Sequence, residues 1–354
     1  MIFLTFVFVA LSALSFYFIA LIFALRRFDY KRANCYVQTT SDDAIVISGC
    51  DSGIGLEIAK YFHRTCNYKI ICGFLEPEQS IGFRELLKLS KSGPKAKLIL
   101  KKLDLTSSDD VANLAESLEE LRSAGIFKNL VALINNAGTM TYGEFDWLTW
   151  DHIQKQIDVN LVGTIRLTRV MIPYIIESKG RIINVSSVND ATVFPGLSIY
   201  SATKSALSTF SRGIGYELRK FGVHVVTIRL GDFARLTNIM ASHSLKQDDM
   251  WSEMSSSKRE LYNDFFHEFN HHLLKNYGMT SPKEFEDSSL FTDFSDALLR
   301  KNPPTTITCA PLVFRIFYFV IELTPVWVQF HLLDVLLKFA FQWKPPRVAT
   351  KKAE

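Results

Sequence analysis

Ala44-Ile45-Val46-Ile47-Ser48-Gly49-Cys50-Asp51-Ser52-Gly53-Ile54-Gly55 is the stretch that decides the fold. Its first five residues predict a strand, and the pattern from Leu56 to Arg64 predicts a helix, so the glycine-rich segment must turn one into the other. Glycines let the backbone turn tightly and approach a pyrophosphate, whose charge is then met by the amino terminus of the helix. The spacing is G-x-x-x-G-x-G. Ser48, Gly49, Asp51, Ser52, Gly53, Ile54 and Gly55 are expected to line this nucleotide site.

Outward from that turn, short apolar runs alternate with helical patterns, the mark of βαβ units. Strands are expected at Ala44–Ser48, Lys69–Phe74, Lys97–Leu103, Leu130–Asn135, Gly180–Val185 and His224–Leu230. The expected helices include Leu56–Arg64, Asp109–Ser123, a long one around His152–Ile176, and Tyr200–Lys220. The fold class is therefore α/β, a doubly wound parallel sheet of the Rossmann type, which binds ligands beyond the carboxyl ends of its strands.

Tyr200-Ser201-Ala202-Thr203-Lys204 places a phenol and an ammonium four residues apart on one helical face. There the charge is expected to lower the phenol's pKa and make it a general base. Ser186 and Ser187 stand at the end of the preceding apolar run, and alternation along a strand lets one of the two face the site.

The glycine turn, Asn135-Asn136-Ala137-Gly138 and the Tyr-x-x-x-Lys pair occur in the order that marks the short-chain dehydrogenase/reductase family, which the chain resembles over roughly 43–237. Gly49-Cys50-Asp51-Ser52-Gly53 looks most like its microsomal retinol and hydroxysteroid dehydrogenases and their relatives, the mitochondrial 3-hydroxybutyrate dehydrogenases, and the apolar ends favour the microsomal members. The resemblance implies catalytic roles for Asn160, Ser187, Tyr200 and Lys204. Tyr200 would be the base, Ser187 would bind the substrate oxygen, and Asn160 would hold a relay water in an interrupted helix. Lys204 would also hold the nicotinamide ribose. Cofactor contacts are further implied for Asp104, Asn136, Ala137, Gly138, Tyr200, Gly231 and Thr237. Ser48 stands where the family usually has threonine, and Leu230-Gly231 where it usually has Pro-Gly.

Cofactor choice turns on the ribose 2′ position, where a phosphate wants a basic partner and a free hydroxyl suits a carboxylate. Phe74-Leu75-Glu76 and Asp51 supply acids and no base, so NAD(H) is expected over NADP(H), with Glu76 as the hydroxyl's partner.

The ends carry a different signal. Residues Ile2–Leu25 contain no charge and, as a helix, would reach about 36 Å, enough to cross a bilayer. Arg26, Arg27, Lys31 and Arg32 follow within a basic linker, 26–42, so the downstream side is expected to face the cytosol. A catalytic domain is expected over 43–302, with a substrate cover from about 238. The extension 303–354 contains the apolar stretch Ala310–Trp343, interrupted by Arg315, Glu322, Pro325, Asp334 and Lys338. Those interruptions favour helices lying on the membrane or over the substrate entrance rather than a second span, with a purely structural packing role as the alternative.

Composition narrows the function further. The 354 residues are 48% hydrophobic, enough for a large core, and the net charge of +4 is dispersed, giving no nucleic-acid footprint. The five cysteines, Cys35, Cys50, Cys66, Cys72 and Cys309, show no metal-ligand spacing, and His267, His271 and His272 read as a solvated helix face rather than a metal site. The expectation is an enzyme of the endoplasmic reticulum membrane, a homodimer being compatible with it, that interconverts a lipophilic alcohol and its carbonyl. A steroid or retinoid is the expected substrate class. The rivals are an NADPH-dependent acyl or ketoacyl reductase and a catalytically silent nucleotide-binding scaffold.

Overall fold

The computed structural model describes residues 17, 36–92, 97–192, 194–231, 233–234, 237–277 and 288–340. The expected anchor, Ile2–Leu25, lies outside the described residues apart from Tyr17, as do the four basic residues after it.

Seven parallel strands form one sheet in the order β3-β2-β1-β4-β5-β6-β7. They are β1 (Asp43–Ile47), β2 (Lys69–Phe74), β3 (Leu98–Lys102), β4 (Asn129–Asn135), β5 (Arg181–Ser187), β6 (His224–Leu230) and β7 (Thr306–Cys309). The order reverses between β1 and β4, which opens a crevice at their carboxyl ends.

The strands are apolar on both faces because helices cover both. On one face Ile45 and Ile47 of β1 share a core with Leu56, Ile58 and Phe62 of α1 (Gly53–Thr65), Leu86 of α2 (Ile81–Ser92) and Phe294 of α9 (Ser288–Leu299). On the other, Ala44 and Val46 join Leu114 of α3 (Ser108–Ser123), Leu167 and Met171 of α5 (Thr164–Glu177) and Leu218 of α6 (Ser198–Leu218). The alternation along β1 is the period-two pattern of a fully buried strand.

The expected long helix runs from Trp150 to Glu177 in three pieces: α4 (Trp150–Ile157), a π-helical turn (Asp158–Gly163) and α5. Among the described residues it is the one helix long and apolar enough to cross a membrane, yet its Leu167, Met171 and Ile175 are wholly buried in the core beneath the sheet. Past β6, α7 (His243–Glu253) and α8 (Ser256–Tyr277) build a third apolar cluster around Trp147, Met250 and Phe266. Two apolar helices, α10 (Leu312–Leu323) and α11 (Val326–Ala340), end the described chain.

The domain boundary expected at 302 moves. Thr306–Cys309 continues the sheet, with Ile228 of β6 registered to Ile307, so the catalytic domain reaches at least to Cys309. Residues 288–299, expected in the substrate cover, instead form α9 against the sheet. Phe294 has no exposed surface and packs in the same core as β1. Phe294→Ala is therefore expected to cost about 3–5 kcal/mol, the range for a large core side chain cut to a methyl group. Urea unfolding of the purified chain would check it, and a midpoint close to that of the parent would place α9 outside the core.

Candidate active site

The crevice between β1 and β4 is closed at its base by hydrogen bonds between the two strand ends. Ser48 Oγ accepts from the backbone N–H of both Asn136 and Ala137, each at 3.1 Å. Asn136 Nδ2 donates in return to the carbonyls of Ser48 and Gly49, each at 3.0 Å. Gly49 has φ +71°, and a Cβ there would stand 2.7 Å from the Cα of Ala137. At Gly55 a Cβ would stand 2.1 Å from the Gly49 carbonyl oxygen. The glycines are required because the turn folds back on itself and on β4.

The amino terminus of α1 differs from those of α3 and α4. Ser107 caps α3 by accepting from Asp110, and Thr149 caps α4 by accepting from His152; both first turns carry an aspartate. At α1, Ser52 makes no side-chain cap and the first turn has no acid. Its amides suit an anion. Together with the glycine cradle, this fits the pyrophosphate of a dinucleotide held by Ser48 to Gly55.

The remaining expected contacts lie around the same crevice. Asp51 accepts from the Leu75 N–H through both carboxylate oxygens, at 3.2 and 3.1 Å, which ties the turn to the end of β2; Glu76 is exposed next to it. Asp104 closes its own turn by accepting from the N–H and hydroxyl of Thr106. Gly231 donates to the Cys309 carbonyl at 3.0 Å, continuing the β6–β7 pairing. Thr237 lies over the glycine turn, its Cβ 3.2 Å from the Cβ position of Gly53.

Asn160, Ser187, Tyr200 and Lys204 converge on the β4–β5 side. Asn160 sits in the π-helical turn, where Nδ2 donates to the Thr139 carbonyl at 2.8 Å and to Thr203 Oγ1 at 3.1 Å, and Oδ1 accepts from the Thr139 N–H at 2.8 Å. This clamp joins the loop after β4 to α6. Lys204 Nζ donates to the Val185 carbonyl at 2.9 Å and lies 5.7 Å from the centre of the Tyr200 ring. The two adjacent serines part company. Ser186 Oγ turns inward to Asp190, Ser208 and the Lys204 carbonyl, while Ser187 Oγ accepts from the Asn189 N–H at 3.2 Å and lies close enough to the Tyr200 phenol to lower its pKa.

The expected tuning of Tyr200 by Lys204 does not appear in the chain alone. Desolvation dominates and pushes the phenol up to about 12, opposed by Ser187 and reinforced by the Asp190 charge. Lys204 is pushed down to about 8, again by burial first, with Asp190 opposing. Burial penalises both charged forms, and the ammonium is turned toward the Val185 carbonyl rather than the phenol oxygen. Asp190, which acts on both groups, was not anticipated; an acid three residues past Ser187 was its sequence signal. Thr203, which links Asn160 to the Tyr200 carbonyl, lay within the quoted motif without being assigned a task.

A catalytic role for Tyr200 predicts that Tyr200→Phe lowers kcat about a hundredfold or more, because the proton-transferring hydroxyl is lost while the ring remains. Affinity for the reduced cofactor, titrated by its fluorescence, should stay within a few-fold. Turnover close to that of the parent would remove the role.

Residues 43–248 match the short chain dehydrogenase family. The chain is 28% identical to a mitochondrial D-beta-hydroxybutyrate dehydrogenase of Rattus norvegicus over 272 residues, 76% of this chain and 77% of that protein. It is 29% identical to estradiol 17-beta-dehydrogenase 2 of Rattus norvegicus over 336 residues, 86% of this chain and 78% of that protein. The crystal structure of a short-chain dehydrogenase from Streptomyces avermitilis shares the fold, with TM-score 0.60 and 20% identity over 85% of this chain and 99% of that one. The chain belongs to the short chain dehydrogenase family and is an oxidoreductase acting on CH–OH groups.

Proposed function

We propose that this short chain dehydrogenase is a membrane-anchored, NAD(H)-preferring enzyme that interconverts a lipophilic alcohol, of the steroid or retinoid class, and its carbonyl. The observation that carries the reading is the apolar cluster beside the phenol. Met140, Tyr142, Trp147, Leu197, Phe265 and Phe269 form a buried group, and Tyr200 packs against it. A polar substrate would lose its hydration there without new partners, whereas a largely hydrocarbon one gains from burial. The rat relative named for estradiol supports the same class.

The proposed division of labour is as follows. Ser187 orients the alcohol oxygen next to the Tyr200 phenol, which takes the proton in oxidation and returns it in reduction. Lys204 holds the ribose side, its ammonium donating to the Val185 carbonyl and lying 5.7 Å from the centre of the Tyr200 ring. A nicotinamide dinucleotide, when bound, supplies hydride acceptance or donation at the carbinol carbon. Asn160 keeps the loop after β4 against α6, so the pair stays aligned.

NAD(H) is favoured because the segment Leu75–Phe83 after β2 contains two glutamates and no Lys or Arg, and Asp51 is already fixed at that strand end. A ribose phosphate would meet carboxylates there. NAD(H) is expected to give the higher kcat/KM by about tenfold or more, the ratio set by one unpaired phosphate costing ~1.4 kcal/mol. Kinetics with both cofactors on one alcohol would check this, and a preference for NADP(H) would revive an acyl or ketoacyl reductase.

Placement rests on the charge-free Ile2–Leu25 segment and the basic residues after it. The catalytic domain is read as cytosolic on the endoplasmic reticulum, with α10 and α11 against the bilayer surface. Protease added to sealed microsomes should digest the domain without detergent. Protection until the membrane is dissolved would reverse the orientation and leave the chemistry untouched.

A further inference from the structure

The apolar helix α10 is tied through Arg229 to the turn that follows Ser187. α10 carries two charged residues seven apart, Arg315 and Glu322, and both are paired with the body of the protein. Arg315 Nη2 lies 3.0 Å from Asp293 Oδ2 of α9. Glu322 Oε1 lies 2.6 Å from Arg229 Nη2 of β6. The outer side is apolar: Val313 is 76% exposed and Leu323 68%.

Arg229 also reaches the other way, its Nη2 2.7 Å from Asp190 Oδ1. The second oxygen of Asp190 accepts from Ser186 Oγ at 3.1 Å and from Ser208 Oγ. Asp190 ends the short 3-10 turn Val188–Asp190 that begins immediately after Ser187. In the sheet Arg229 is registered to Ser186, so its side chain rises directly beside this turn. One guanidinium, whose side chain is 12% exposed, thus joins the serine turn to an apolar surface helix. Breaking such a buried pair costs more than the pair contributes, because a lone buried charge is left behind.

We propose that Arg229 is a positioning residue for Ser187 and Tyr200: by holding Asp190 and Glu322 together it makes α10 part of the frame of the active site. The proposal rests on the reading that Ser187 and Tyr200 carry the reaction. Its consequence is that displacing α10 disturbs the placement of the substrate oxygen while leaving the glycine turn, on the far side of the crevice, in place.

The test uses the full-length chain in microsomes, with the alcohol that the parent turns over fastest among estradiol, testosterone and all-trans-retinol. Arg229→Met should lower kcat about tenfold or more with the cofactor KM within about threefold, and Arg229→Lys should recover part of the loss. Glu322→Gln should give a smaller fall in kcat, and trypsin should cut more quickly at Arg315 in both Arg229→Met and Glu322→Gln. The pH profile separates positioning from general damage. Tyr200 and Asp190 are faced by Lys204 and Ser208 of α6, Ser186 and Ser187 of β5, and Arg229 of β6, with Glu322 of α10 behind the arginine.

Asp190 raises the Tyr200 pKa, so Arg229→Met, which leaves that charge unbalanced, should move the rising limb of alcohol oxidation to higher pH. Asp190→Asn should move it lower. If Tyr200→Phe is inactive while Arg229→Met keeps normal kcat, pH profile and trypsin resistance, the strut is refuted and the dehydrogenase reading stands. A parent chain that oxidises none of the three alcohols overturns the steroid and retinoid reading, and unchanged trypsin resistance at Arg315 in Arg229→Met then refutes the proposal by itself.

Discussion

The structure depends on a polar clasp between two strand ends that diverge. At the point where the sheet order reverses, the Ser48 hydroxyl accepts two backbone N–H groups from the β4 exit, and the Asn136 amide returns two bonds to the β1 exit. Without them four backbone groups would face a crevice that a nucleotide fills, each an orphan in the free chain. The clasp also explains the glycines. With the two segments held this close, a Cβ at Gly49 or Gly55 would overlap backbone atoms.

The active groups show the complementary constraint. Tyr200 and Lys204 are desolvated together, which drives the phenol up and the amine down, so the protein by itself opposes the ionised pair that proton transfer requires. Asp190 stabilises the lysine's charge and opposes the tyrosinate, and its own pKa stays raised by burial, which Ser208, Arg229 and Ser186 offset only in part. Asp190, whose charge acts on both groups, is paired with Arg229, which is paired in turn with Glu322. The free chain holds the phenol neutral, the state suited to donating a proton in carbonyl reduction. Alcohol oxidation needs further positive charge near the ring.

Much of this was legible in the sequence for physical reasons. The six longer strands were readable because a buried parallel strand is a short, nearly continuous apolar run, and the glycine turn because its spacing has few uses between a strand and a helix. The choice of Ser187 over Ser186 followed from alternation plus a family spacing, and the side chains diverge as that alternation requires. β7 escaped notice because Thr306-Ile307-Thr308-Cys309 is four residues long, follows Pro303-Pro304 and sits at an edge. The tuning of Tyr200 was misjudged because spacing on a helix fixes the distance between two groups and says nothing about how much water either retains. Arg229 was visible as a charge inside an apolar strand, but its two partners are 39 residues before it and 93 after it. No local pattern could supply them.

The interruptions in the C-terminal apolar stretch are the last instance of the same point. In the sequence, Arg315 and Glu322 count against a membrane span, and in the structure they are the residues that fasten α10 to the domain. A helix apolar all round would have no reason to keep one side inward, and charges turned outward would be expelled from lipid at a cost of several kcal/mol. Pairing both charges against the domain, with the Arg315 side chain 38% and the Glu322 side chain 29% exposed, leaves the rest of the helix surface largely apolar. Leu312, Val313 and Leu323 are each more than half exposed, and burying a side chain of this kind contributes roughly 1.5–3 kcal/mol. That gain is available to a bilayer contact and absent in water. On the proposed reading, one pair of ionic contacts therefore fixes both which side of α10 meets the lipid and how the helix bears on the serine turn.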